Sequence, residues 1–238
     1  MSLAPSVRMR WHDLAFLHWP VEAALMRRAI PSQLELDCYG GQAWIGLVPF
    51  EMRETRFRGV PDLSATRQFF ECNVRTYVKH AGRSGVWFFS LDAEHLLPVI
   101  GARALWSLPY EWSTFDVART ATVTDYALRR RWGDGASHVV WERGESLPPA
   151  LPGSLAHFLT ERYYLFSQRF GRILRGRVAH PSWPLREARV LSCEDGLVRA
   201  AGIEVSGEPI AWCTDGVDVE GWSLVRSELP AAADGSTL

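Results

Sequence analysis

Hydrophobic and polar residues along this chain alternate far more often than they recur at helical spacing. The clearest case is Phe69 to Val78, where Glu71, Asn73, Arg75 and Tyr77 fall on one face and Phe70, Cys72, Val74, Thr76 and Val78 on the other. A period of two predicts a strand, here with one distinctly polar face. A turn at Ala81 to Ser84 followed by Gly85 to Leu91 predicts a hairpin, setting Arg75 near Ser90 and Asn73 near Asp92. Gly40-Gly41 divides Leu34 to Met52 in the same way, and Ala43 to Phe50 is apolar enough for a buried strand. Beyond Pro109, Ser113 to Trp132 and Ser137 to Arg143 form a long predicted hairpin around Gly133-Asp134-Gly135. Short strands follow at Arg172 to Val178, Ala188 to Cys193 and Val217 to Val219.

Helix signals are sparse. Pro20 at a first helical position, Glu22 in the first turn and Arg27-Arg28 in the last predict a helix over Pro20 to Ala29, ended by Pro31. Ser154 caps a second through about Arg162, after a linker marked by Pro148-Pro149 and Pro152-Gly153. A third is expected over Ala93 to Trp106 despite Pro98, with Asp92 as its alternative cap. Strands in runs with a few short helices define an α+β class with a largely antiparallel sheet. Residues 1–230 read as one domain and 231–238 as a mobile tail.

A chain of 238 residues can bury a full core, and 47% hydrophobic with 22% charged residues excludes disordered and collagenous classes. The net charge of -1 gives no basic field, so neither nucleic acid nor a membrane surface is an expected partner; Arg129-Arg130-Arg131 reads as a solvated strand end. No leader pattern or membrane-length apolar run occurs, and a cytoplasmic location is expected. Cys38, Cys72, Cys193 and Cys213 lack zinc or disulfide spacing and read as reduced, buried thiols. Nucleotide-binding, nucleophile-elbow and metalloprotease motifs are missing, so no cofactor or metal is expected. Asp215, Asp218 and Glu220 lack a calcium-loop pattern and read as a solvated turn.

The run GARALWSLPYE, Gly101 to Glu111, resembles the catalytic segment of the acetoacetate decarboxylase family, roughly G-R-E-x-W-G-F-P-K-K. Arg103, Trp106 and Pro109 are in register, Tyr110 stands where that family has its Schiff-base lysine, and Glu111 where it has the neighbouring lysine. Imine chemistry needs an amine with a lowered pKa, which a phenol cannot replace, and the chain's single lysine is Lys79. Over a longer span, from His18 to Leu185, HWPVEAALMRRAIPSQLELDCYGGQAWIGLVPFEM, FFECNVRTYV, GVWFFSLDA, ARALWSLPY, LTERYYLF and VAHPSWPL resemble the YqjF-like bacterial family. The resemblance implies an acetoacetate-decarboxylase-like fold, an antiparallel sheet closed around a central pocket, and assembly into homo-oligomers. It implies no established activity.

Glu71 resembles the decarboxylases' pocket glutamate. Desolvated, its carboxyl could move a proton near neutral pH while the Tyr110 phenol donates to a developing oxyanion; alternatively Glu71 pairs with Arg75 or Arg103 inside the sheet. Arg75 and Arg103 each offer a bidentate fork for a substrate carboxylate, against a cross-strand pair of Arg75 with Asp92 or Glu71 and packing of Arg103 over Trp106. Trp106 and Glu111 complete the candidate ligand site. Eleven tryptophans, with Trp44, Trp87, Trp106 and Trp112 near these segments, serve either an aromatic pocket or the core. His18 and His180 are proton carriers or structural histidines. The expected partner is a small organic ligand. The expected function is acid/base work on a carbonyl or carboxylate compound without an imine. The alternatives are a non-catalytic sensing or sequestering module and a structural oligomer subunit.

Overall fold

The computed structural model describes residues 4–59, 67–95 and 107–228. In chain order these form β1 (Val7–Val21), α1 (Ala23–Ala29), β2 (Glu35–Leu36), β3 (Ala43–Phe57), β4 (Gln68–His80), β5 (Arg83–Ala93), β6 (Tyr110–Arg119), β7 (Val123–Arg130) and β8 (Ala136–Ser146). There follow α2 (Leu155–Thr160), β9 (Tyr164–Arg169), β10 (Arg172–Ala179), β11 (Arg186–Asp195), α3 (Leu197–Ala200), β12 (Ile210–Gly221) and β13 (Val225–Arg226). The strands pair into a 13-stranded sheet in the order β13-β10-β9-β5-β6-β7-β8-β11-β12-β1-β3-β4-β2.

Two additional pairings, β5 with β4 and β10 with β12, close this order on itself twice. The run β12-β1-β3-β4-β5 is a shared wall. On one side β6, β7, β8 and β11 complete a ring, and on the other β9 and β10 complete a second. All pairings are antiparallel except β5 with β6 and β5 with β9. The fold is α+β and largely antiparallel, as expected. Closure satisfies backbone donors that a sheet this size would otherwise leave along open edges.

Bulges decide which side chains the shared wall aims at the second ring. Asp13, at φ 46°, interrupts the alternation of β1, so Met9 and Trp11 before it and Leu14 and Phe16 after it all reach that side. Glu54, at φ 51°, does the same in β3 for Phe50 and Met52 before it and Thr55 and Phe57 after it. Gly216 of β12 pairs with His12 at φ 117°, where an added Cβ would lie 2.0 Å from the Trp11 carbonyl oxygen. Only glycine fits there.

Several sequence expectations are corrected. The first helix starts at Ala23, because Trp19 and Pro20 continue β1 opposite Ile45 and Trp44 and Trp19 is buried. Ser113 to Trp132 is not one strand: a turn at 120–122 separates β6 from β7. The turn between β4 and β5 is Ala81-Gly82 with a bulge between Val74 and Arg75, so Arg75 faces Phe88 and Asn73 faces Leu91. The helix beginning at Ser154 ends at Thr160, and β9 starts four residues later. Asp215, Asp218 and Glu220 lie on β12, where they pair with Arg143, Arg10 and Arg8. Cys38 is exposed rather than buried. Ala93 closes β5, while the rest of the expected helix from residue 96 on, with Arg103 and Trp106, lies outside the described residues, as does the tail 231–238.

Candidate functional site

The second ring encloses a cavity of about 160 Å³, walled mainly by apolar side chains including Phe16, Val48, Phe50, Phe69, Leu91 and Leu108. A water needs roughly 10–15 Å³ by the same measure, so the space accepts a small organic molecule. Three of its polar groups come from one row. Glu71, Asn73 and Arg75 are successive residues on the cavity face of β4, and all three are buried. The face assignment read from the alternation holds although the hairpin register does not.

Glu71 is 2% exposed. Burial pushes its carboxyl up to about 8, against smaller lowering contributions from hydrogen bonds with Asn73 and Tyr110. The carboxyl is therefore largely protonated at neutral pH and carries an O–H to donate. The Tyr110 hydroxyl, at the start of β6, donates to Glu71 Oε2 at 3.4 Å. Burial first, then Glu71, raises the Tyr110 phenol well above its ordinary value. From beneath, the Tyr126 hydroxyl lies 3.0 Å from the Phe50 carbonyl oxygen and 2.9 Å from that of Glu71, fixing the cross-strand pair that carries the acid.

Arg75 does not pair with Glu71 or Asp92. Its Nη2 donates to the Leu159 carbonyl at 3.2 Å, its guanidinium sits 5.6 Å from the Phe16 ring centroid, and its Nε is buried with no partner. Asp92 instead binds Arg130, whose Nε and Nη2 donate at 2.8 and 3.0 Å, so Arg130 is an internal ion-pair partner and not part of a solvated strand end. Asp92 is also not a helix cap. Glu111 follows Tyr110 on β6 and is not among the residues lining the cavity; its charge acts on Arg130.

Among the described residues, the tryptophans lining the cavity are Trp11, Trp183 and Trp222. Trp44 instead packs with Tyr77 and Phe88, Trp87 packs against the other core, and Trp112 donates to the Glu94 carbonyl and meets Trp132 edge-on. His18 is fully buried with Nε2 2.6 Å from the Tyr77 hydroxyl, which in turn donates to Leu159 O at 2.7 Å. Burial first, then Arg75, holds its imidazole well below its ordinary pKa. Gly46 makes room for the ring, since a Cβ there would lie 2.8 Å from Nε2. His180 lines the cavity, donates from Nδ1 to Pro181 O at 2.8 Å and stacks on Tyr163.

Asn73 and Arg162 are among the polar cavity residues that the sequence does not mark as site residues. Asn73 was placed on the polar face, and its position between Glu71 and Arg75 was the available signal. Arg162 gives none, because its ion-pair partner Asp37, reached at 2.8 Å, is remote in sequence, although the Phe158 ring 4.2 Å away is local. Among the described residues no group of three or more His, Cys, Asp or Glu side chains is arranged to hold a metal, and no helix is long and apolar enough to cross a membrane.

A doubly closed, largely antiparallel sheet around a cavity with a buried acid is the acetoacetate-decarboxylase-like fold. Over 96% of this chain and 92% of the other, the structure is similar to the enduracididine biosynthesis enzyme MppR complexed with pyruvate, with a TM-score of 0.68 at 15% identity. It is also similar to an acetoacetate decarboxylase-like enzyme from Sphingomonas wittichii RW1, over 95% and 94% of the two chains, with a TM-score of 0.65 at 12% identity. These likenesses establish fold alone. Residues 8–218 match the family DUF2071, described as an uncharacterized conserved protein, and the chain belongs to that family. It is 36% identical over 220 residues, 92% of this chain and 91% of the relative, to the uncharacterized protein YqjF of Bacillus subtilis (strain 168).

Proposed function

We propose that this protein binds a small, partly apolar carboxylate or carbonyl compound in the cavity and performs acid/base chemistry on it without an imine. The observation that carries this reading is the buried Glu71 carboxyl, raised to about 8 and touched by the Tyr110 hydroxyl. A group with that pKa holds a proton at neutral pH and releases it within reach of neutrality, as a general acid or base requires. Glu71 serves as the proton carrier, Tyr110 as a hydrogen-bond donor to the charge that develops, and Arg75 as the anion anchor. Arg103 is a second anchor candidate from the sequence. Tyr110 supplies no amine, and Lys79 is engaged with Asp37 at 3.0 Å. The pyruvate complex of MppR supports a carboxylate-bearing ligand in a cavity of this fold.

Native mass spectrometry of freshly purified protein, followed by thermal-shift tests of small oxo and hydroxy acids, provides the first check. Stabilisation that disappears in Arg75→Leu supports the binding site. Loss of turnover in Glu71→Gln and Tyr110→Phe with affinity retained supports catalysis. If those variants alter affinity alone, the cavity serves a non-catalytic sensing or sequestering module, a reading favoured by the phenol at the position of the family lysine.

A further inference from the structure

Size and lining together restrict what the cavity can hold. Its volume of about 160 Å³ is close to the roughly 150 Å³ of an engineered apolar cavity that takes up benzene. One six-membered ring with a small substituent fills such a space, and two fused rings exceed it. Glu71, Asn73 and Arg75 on β4, with the Tyr110 hydroxyl 3.4 Å from Glu71, gather polar groups on one wall. Aromatic rings supply much of the remainder: Trp11 from β1, Phe69 from β4 and Phe88 from β5, with Trp183 and Trp222. Phe69 and Phe88 are core residues yet keep 6% and 9% of their surface accessible, and Trp11 is only partly buried, so these rings have edges and faces to offer a ligand. Their orientation is set by their neighbours, since Trp11 stacks on Trp183 at 5.9 Å and meets Phe50 edge-on at 5.9 Å.

We propose that the cavity is specific for a monocyclic aromatic compound carrying one carboxylate or carbonyl group, with the ring among the aromatic side chains and the substituent toward the β4 row. This rests on the binding reading above and narrows its ligand class. Three physical differences separate such a ligand from its alternatives. Compared with an open chain of equal carbon number, a ring is already compact and gives up less conformational freedom on entering an enclosed space. Compared with a saturated ring, an aromatic one is flat and carries a quadrupole, so it gains edge and face attraction to the wall rings that a cyclohexyl group lacks. Compared with a two-ring compound, it fits without forcing close-packed walls apart. The substituent turns toward β4 because the charge there is uncommitted. Arg162, the other buried guanidinium on the lining, is neutralised by Asp37 at 2.8 Å, whereas Arg75 has no carboxylate partner among the described residues.

Calorimetric titration of the wild-type protein with matched seven-carbon compounds tests this directly: benzoate, cyclohexanecarboxylate and heptanoate, then the three corresponding aldehydes, with 2-naphthoate and 2-naphthaldehyde as the two-ring members. In the series that binds, the aromatic ring is expected to be about twofold to tenfold tighter than the cyclohexyl ring, the size of an aromatic pairing beyond burial, and the open chain weaker again. The two-ring member should bind about tenfold or more weakly than the one-ring compound. Leu108→Trp, which fills the cavity from the loop before β6, should abolish binding of the one-ring compound, with near-ultraviolet circular dichroism reporting that the fold is retained. Undiminished binding in that variant would put the ligand elsewhere and overturn the assignment. The wild-type ranking does not depend on the variant. A cyclohexyl, open-chain or two-ring compound that equals or exceeds the aromatic one overturns the aromatic assignment, and if it binds in an Arg75-dependent way, the broader binding reading survives. If no member of either series binds, both fall.

Discussion

A single carboxyl sets much of this protein's expected response to pH. Glu71 titrates near 4.5 when unfolded and about 8 when folded. Between those values the folded chain keeps a proton that the unfolded chain has released, so stability falls as pH rises through that window and levels off above it. Each pH unit within it costs at most about 1.4 kcal/mol. Glu71→Gln keeps the shape and removes the charge. Its stability by urea unfolding should match the wild type near pH 5 and exceed it by a few kcal/mol near pH 9. Equal slopes for the two proteins would mean that Glu71 is solvated and not the buried acid described above. Tyr110→Phe has a separate signature: it removes a donor that favours the ionised carboxylate, so the Glu71 titration should move above 8 in that variant. A carbon-13 titration of labelled glutamate carboxyls would read the shift.

Strand irregularities, more than the strands themselves, shape the cavity. The bulge at Asp13 turns both halves of β1 toward the same side, and Gly216 on β12 accommodates it. Gly216→Ala would place a methyl 2.0 Å from the Trp11 carbonyl at a φ that L residues rarely adopt. It should therefore cost about 3 kcal/mol or more by urea midpoint and abolish any ligand-induced thermal shift. Alanine at Gly133, a turn glycine with open space around its Cβ position, should cost about 1 kcal/mol through backbone strain alone. The same irregularities account for what the sequence did and did not disclose. The regular β4 was legible down to its cavity face, because ten residues alternate without a break in facing. In β1 the alternation reverses at Asp13, which hides the strand and makes Pro20 resemble a helix start. The β4–β5 register depended on a bulge that no residue type announces. Glu71 and Tyr110 were legible through their motifs. The rings that wall the cavity were not, since Trp11, Phe69 and Phe88 come from three strands and gather around one space only once every strand has been placed.

At the scale of the whole molecule, closure depends on buried charges that tie distant strands together. Asp13 on β1 receives Arg119 from β6 and Arg143 from β8. Glu51 on β3 is buried, which alone would raise its pKa, but His12, 3.6 Å away, and hydrogen bonds from Arg53 and Arg119 outweigh that effect and hold it well below the usual carboxylate range. Asp92 on β5 receives Arg130 from β7 together with the hydroxyls of Ser90 and Ser113. This last cluster sits at a weak seam. β5 and β6 pair over only Leu91–Ala93 and Tyr110–Trp112, in parallel, and the seam both closes the ring and begins at Tyr110. Parallel pairing this short contributes little by itself, so the Asp92 cluster must hold it. Asp92→Ala leaves Arg130 without its charge partner and should cost about 3–5 kcal/mol, as is typical when one member of a buried pair is removed. Replacing both residues, Asp92→Leu with Arg130→Met, should recover part of that loss, because no unpaired charge remains. Breaking the surface pair Arg189–Glu142 with Glu142→Ala should change stability by no more than about 1 kcal/mol. The Asp92 charge also helps to raise the Glu71 carboxyl, so Asp92→Ala should move the Glu71 titration downward, opposite to Tyr110→Phe. A destabilised Asp92→Ala protein whose Glu71 titration instead rises above the wild type would show that the seam also positions the Tyr110 phenol, because losing that donor acts in the opposite direction.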